Sequence, residues 1–143
     1  MPDLDPALEP STASDEGFLR IENVRAGEVF RPAHTQSYAR FFDLVDEIVS
    51  VAGAVPISLL LIPDALQVDD ALWRRVRAAA PHEEYERDLP QRLLRAHFDA
   101  QGYHYVDLLP SFRAVRAGAD GERHLYQRND AHINVRGNVR AHL

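Results

Sequence analysis

The 143-residue chain has no cysteine, which removes disulfides, thiolate zinc sites and thiol nucleophiles together and leaves the redox compartment open. It also has no lysine, so that all 16 cationic residues other than histidine are arginine. Schiff-base chemistry and a Ser-Lys dyad are thereby excluded. No apolar run reaches the length of a membrane span, and the opening Met1-Pro2-Asp3-Leu4-Asp5 has neither a basic nor an apolar region of the kind an export signal needs. A soluble polypeptide without an export signal is expected, its compartment otherwise unassigned. An excess of positive charge is missing as well: the formal net charge is -6 and the arginines are scattered along the chain. Nucleic acid is therefore not an expected partner. Apolar residues make up 45% of the chain, enough for one domain, or a piece of a larger one, with a modest core.

Residues 1–17 are rich in Pro, Asp, Glu, Ser and Ala and carry almost nothing large to bury, so they read as a disordered leader or linker. From Phe18 to Phe30 apolar residues recur without a clear period and Gly27 interrupts them, which predicts a short irregular hairpin. Between Gln36 and Ala52 the spacing of Tyr38, Phe41, Phe42, Val45, Ile48, Val49 and Ala52 is that of an amphipathic helix, stopped by Gly53. Val55 to Ile62 is nearly continuous in apolar residues and predicts a strand covered on both faces. A helix over 71–80 follows, with Leu72, Val76 and Ala79 inward and its arginines forming a solvated face. A second helix, 89–101, has Pro90 in its first turn and Gly102 at its end. His97 is expected to pack in its core-facing side. Tyr103 to Asp107 is a second strand, and the order helix, strand, helix, helix, strand favours an α/β crossover between parallel strands. A short helix over 111–117 and a brief extended piece at 124–126 complete the chain.

With Cys and Lys absent, covalent chemistry would require a hydroxyl or a carboxylate. Ser11, Thr12 and Ser14 fall in the leader, Thr35, Ser37 and Ser50 at or within a helix, Ser58 in an apolar strand, and Ser111 at a helix start. None occupies a Gly-flanked strand-to-helix elbow. The seven histidines show neither H-x-H nor H-x-x-x-H spacing, so no metal and no cofactor are expected. Asp107, at the end of a parallel strand, is where a receiver domain carries its phosphoryl acceptor, but a receiver also needs a lysine.

The stretch with the most chemistry is Asp130-Ala131-His132-Ile133-Asn134-Val135-Arg136-Gly137. Asn134 can cap a helix, which places His132 at the mouth of a loop entering that helix, two residues from a carboxylate able to fix its tautomer. A solvated ion pair is the plainer account of the same residues.

Three blocks together resemble the C-terminal half of an SGNH (GDSL-type) serine hydrolase, the subgroup related to acyl esterases and acetyltransferases of bacterial polysaccharides. They are Pro56 to Val68, Gly102 to Pro110, and Leu125-Tyr126 with Asp130 to Gly137, so the resemblance covers about residues 36–143. The resemblance implies an α/β, partial flavodoxin-like three-layer fold with a parallel sheet over 18–143, its N-terminal strands missing. It implies His132 as general base and Asp130 as its orienting acid, acting on a small-molecule or saccharide acyl ester. The family's Gly-Asp-Ser nucleophile block is absent, and Ser14-Asp15 does not replace it. This chain alone is accordingly expected to be inactive, and a non-catalytic α/β remnant serving as a binding module is the alternative. The missing strands also imply an open edge along 55–62, covered by residues 18–30 or by self-association.

Overall fold

The computed structural model describes residues 14–141. Its elements in chain order are α1 (Asp15–Val29), a short 3-10 turn (Pro32–His34), α2 (Gln36–Ala52), β1 (Leu59–Leu61), α3 (Ala65–Val68), α4 (Asp70–Ala79), α5 (Leu89–Gln101), β2 (Tyr105–Asp107), α6 (Leu109–Arg113) and α7 (Val135–Ala141). The described residues thus form a mixed helix and strand structure around a small parallel sheet. Leu59, Leu60 and Leu61 pair with Tyr105, Val106 and Asp107, and α3, α4 and α5 lie between the two strands in sequence, the crossover that parallel pairing requires. Among the described residues no helix is long and apolar enough to cross a membrane.

The first thirty residues are not as expected. Residues 1–13 lie outside the described residues, but Ser14 caps α1 by accepting a hydrogen bond from the Gly17 amide at 3.1 Å, and Asp15 and Glu16 occupy the helix's electropositive first turn. The disordered reading of 14–17 and the hairpin at 18–30 are both overturned. Phe18, Glu22, Ala26 and Phe30 recur every four residues and are all buried, but a carboxylate and a single methyl in that stripe hide it from a count of apolar residues. Ile21 and Val24, which broke the apparent period, are exposed.

Two clusters form the interior. The larger gathers α1, α3, α4, α6 and Leu125-Tyr126, with Phe30, Phe112, Leu66 and Val76 fully enclosed and Phe30 set edge-on to Trp73 at 5.6 Å. The smaller packs Val45 of α2 and Phe98 of α5 on Leu61, joined by Leu59 and Tyr105 from the same sheet face. The opposite face carries Leu60 and Val106, which are 49% and 46% exposed, with Ile62 just beyond at 50%. Strand 55–62 is therefore shorter than expected and covered on one face only. Residues 18–30 form a helix packed with α4 and add no strand to its edge. Gly53 and Gly102 end α2 and α5 with φ of 58° and 70°, as placed from sequence. Ala79 is exposed, and the expected helix at 111–117 lies instead at Leu109–Arg113.

The one-turn helix α3 is held by polar groups at both ends. Asp64 and Gln67 form a capping box at its start. At its end, Arg87 donates to the Leu66 carbonyl at 2.8 Å, Arg113 to Gln67 at 2.8 Å and Arg123 to Val68 at 2.6 Å. Three guanidiniums thus satisfy three carbonyls that a four-residue helix leaves without partners. Arg25, on α1, pairs with both Asp64 and Glu22.

Burial raises the Glu22 carboxyl from 4.5 to about 7, with Asp64 adding to the rise and Arg25 opposing it. Because the folded value exceeds the unfolded one, the native state binds the extra proton between about pH 4.5 and 7. Stability from this residue is complete below that window and is lost as pH rises through it. Glu22→Gln is expected to flatten the decline and to be the more stable protein at pH 8, by at most about 3 kcal/mol. Urea unfolding at pH 5 and pH 8 measures this, and equal pH slopes for the two proteins would remove Glu22 as the cause. Asp69 and Glu122, also raised mainly by burial, leave a residual slope of the same sign.

Candidate functional site

Asp130 and His132 sit at the tip of a tight hairpin. Tyr126 and Ile133 form an antiparallel bridge, the Gln127 amide donates to the His132 carbonyl at 2.9 Å, and the Asn134 amide donates to the Leu125 carbonyl at 3.0 Å. A turn at 127–130, with Asn129 at φ 53°, reverses the chain. Asp130 Oδ1 accepts from the His132 amide at 2.9 Å and meets the ring Nδ1 at 2.5 Å. The two residues singled out from sequence are thus brought together.

Tyr126, Asn134 and Gly137 brace this hairpin. The Tyr126 hydroxyl donates to the Pro63 carbonyl at 2.6 Å, tying the hairpin's base to the exit of β1, and burial pushes that phenol up. Asn134 is buried, and its amide donates to the carbonyls of His124 and Tyr126, both at 3.0 Å. Its Oδ1 accepts from the Gly137 amide at 3.0 Å, the N-cap expected for α7. Gly137 lets α7 approach the hairpin, because a Cβ there would stand 2.3 Å from the Leu125 carbonyl oxygen. The asparagine and glycine of the motif therefore place its aspartate and histidine.

The Asp130 side chain is 16% exposed and borders a cleft of about 330 Å³ that also meets Asp15, Phe18, Asp69, His124 and Tyr126. Ala65, which opens α3 four residues past the end of β1, lines the same cleft. The His132 ring is 83% exposed and stands outside the cleft's lining. None of the described residues bonds its Nε2, and none of the described hydroxyls lies against it.

Sequence reasoning missed two groupings. Asp120, Glu122 and His124 bring one ligand atom each to within 4.8 Å of one another, although no pair of histidines is involved. The alternation i, i+2, i+4 around Gly121 was the available signal. Their mutual pairing accounts for the arrangement: His124 Nε2 meets Asp120 Oδ2 at 2.8 Å. The Glu122 amide, then His124, hold the Asp120 carboxyl below its usual range. Burial and neighbouring Asp69 push Glu122 up. At the other end of the sheet, Ser58 Oγ meets His104 Nδ1 at 2.9 Å on the exposed surface. Among the described residues no carboxylate pairs with His104.

The other sequence candidates are structural. Ser111 donates to the Leu108 carbonyl at 3.0 Å from within α6. His97 stacks on Phe42 at 4.2 Å and bonds Asp46 at 2.8 Å, half-buried between α2 and α5. Asp107 accepts from the Leu109 amide at 2.9 Å, capping the turn into α6. No family model, no curated protein and no solved structure matches the chain.

Proposed function

We propose that the Asp130–His132 hairpin is the acid–base half of an SGNH-type ester hydrolase or acyl transferase. On this reading the chain is part of a flavodoxin-like three-layer domain, and the serine and oxyanion hole come from outside residues 14–141. The observation that carries the proposal is the 2.5 Å approach of Asp130 Oδ1 to His132 Nδ1, with Nε2 bonded to no described residue. A carboxylate on Nδ1 holds the proton there and leaves the Nε2 lone pair available. Nε2 would take the proton from a serine hydroxyl as its oxygen attacks the acyl carbonyl, and return it to the departing alcohol. Water or an acceptor hydroxyl, activated in the same way, would then release the acyl group. The substrate class is a small-molecule or saccharide acyl ester.

A second reading, a non-catalytic α/β module that binds a partner or a saccharide through this surface, draws on the ring's exposure and its place outside the cleft.

The chain alone is expected to hydrolyse p-nitrophenyl acetate at the rate of its His132→Ala variant, within twofold, with His104→Ala as a control for the Ser58–His104 pair. A His132-dependent burst would place a nucleophile inside the chain. Joined in frame to an upstream Gly-Asp-Ser block, the protein should lose roughly 10³-fold or more in kcat/KM on His132→Ala. Retained activity would defeat the hydrolase reading. Nitrogen NMR of the ring offers an independent check, the Nδ1–H tautomer being expected and the Nε2–H tautomer opposing it.

A further inference from the structure

Of the carboxyls on α1 only Glu22 is buried, at 1% exposure. Its Oε2 stands 3.2 Å from the Arg25 guanidinium, yet it accepts no hydrogen bond from any described residue. Arg25 is shared with Asp64. A buried carboxylate oxygen in that position is costly when charged, and a proton removes most of the cost.

The stretch of α1 that ends at Glu22 also walls the cleft bordered by Asp130. Asp15 and Phe18 line it, together with Asp69, Glu122 and Tyr126. Phe18 and Leu19 reach the larger cluster, and Asp15 meets Asn129 at 2.7 Å and Arg128 at 3.8 Å. Ile21, between them and Glu22, faces solvent. The far end of α1 is pinned more firmly: Arg25 pairs with Asp64, the Val29 carbonyl accepts from the Tyr38 hydroxyl at 2.8 Å, and the Phe30 carbonyl accepts from the Glu86 amide at 2.8 Å. A helix secured at one end opens first at the other.

We infer that residues 15–22 are a proton-gated lid on this cleft, closed while the Glu22 carboxyl is neutral and released when that carboxyl ionises. Burial in the closed lid lifts the carboxyl to about 7, with Arg25 opposing and Asp64 adding, whereas in an open lid water returns it towards 4.5. Closure therefore binds the proton: it is complete below about pH 4.5 and weakens as pH rises through about 7. The other groups near Glu22 do not replace it. Burial and Asp64 push Tyr38 up to about 12 and raise Tyr126 as well, so both phenols stay protonated. α4 packs Leu72 and Val76 into the shared core, while its Arg74 and Arg77 donate to the Asp70 and Glu83 carbonyls and Arg75 lies along the cleft. The turn carrying His34 adjoins the pinned end of α1. Asp69 and Glu122 are raised by burial too, but they remain in any Glu22 variant, so a comparison of variants isolates the lid. The gate requires no catalytic role for the Asp130–His132 hairpin.

The test uses the full chain. With no lysine present, trypsin is confined to arginine, and Arg20 is exposed on the lid while Arg95 is exposed on α5. At pH 8 the wild type should be cut after Arg20 well before Arg95, and Glu22→Gln should slow the Arg20 cut by about tenfold or more. Glu22→Met, which is equally unable to ionise, should behave alike. Amide exchange gives the pH dependence: the opening constant at residues 18–22 should rise by about tenfold or more between pH 5 and pH 8 in the wild type, and stay within roughly threefold in Glu22→Gln. Cleavage after Arg20 and Arg95 at one rate would mean that α1 opens only with the whole body and would overturn the inference. Opening constants that ignore pH, or a Glu22→Gln protein cut as fast as the wild type at pH 8, would overturn it equally.

Discussion

Gly137→Ala is expected to destabilise the protein by about 3 kcal/mol or more, the reverse of what the same change does in an ordinary helix. In an open helix interior, alanine gains roughly 1 kcal/mol over glycine. Here the added methyl would lie 2.3 Å from the Leu125 carbonyl oxygen and 3.1 Å from the Ile133 Cβ. A backbone oxygen cannot swing aside as the end of a long side chain can, so α7 or the hairpin must move. That carbonyl also accepts the Asn134 amide beside the Tyr126–Ile133 bridge. The substitution should therefore loosen the hairpin that holds Asp130 against His132 before it unfolds the body. Urea unfolding gives the magnitude, and amide exchange at Gln127 and Asn134 locates the damage. A change within 0.5 kcal/mol, or a gain, would mean that α7 does not dock against Leu125.

The second large effect concerns Asn134. Asn134→Asp keeps an oxygen for the Gly137 amide but replaces a donor to two carbonyls with a carboxylate oxygen facing both at 3.0 Å. Loss of two hydrogen bonds and the burial of a charge against two carbonyl dipoles should cost about 2–4 kcal/mol at neutral pH. The sign with pH follows. A carboxyl destabilised in its charged form has a folded pKa above its unfolded one, so the variant regains stability in acid and loses it as pH rises through that raised value. Asn134→Ala serves as the comparison, lacking cap and donor alike, and should show no added pH dependence. Parallel pH profiles for the two variants would contradict this account of the site.

The elements legible in the sequence were those whose signals are local and unmixed. α2 and α5 combine a stripe of three and four residues with a terminal glycine, and the β1–β2 pairing follows from two β-prone runs separated by helices. Asn134 as an N-cap was equally plain. α1 was missed because one of its three buried positions is Glu22, whose neighbour Asp64 is invisible without the fold. α3 is too short for any period to show, and its end is held by arginines 21 to 55 residues away in sequence from the carbonyls they bond. For the site, the spacing of Asp130 and His132 was enough to predict their pairing. Nothing local could say that the ring stands outside the cleft, or that the alternating Asp120, Glu122 and His124 come to line it. Solvent exposure of Leu60, Val106, Ile48 and Val51 was hidden for the same reason: apolar composition predicts what prefers burial, and only packing decides what obtains it.

The arginine clamp on α3 bears on how chemical labelling of this protein should be read. Amine-directed reagents find no lysine side chain to modify. Guanidinium-directed reagents such as phenylglyoxal meet Arg87, Arg113 and Arg123, each of which donates one nitrogen to the Leu66, Gln67 or Val68 carbonyl. Adduct formation at any of them strips a partner from a buried turn that has none to spare. Unfolding that followed modification of these three arginines would thus begin at the segment after β1, and a ligand that slowed it could do so by stabilising the fold without touching an arginine.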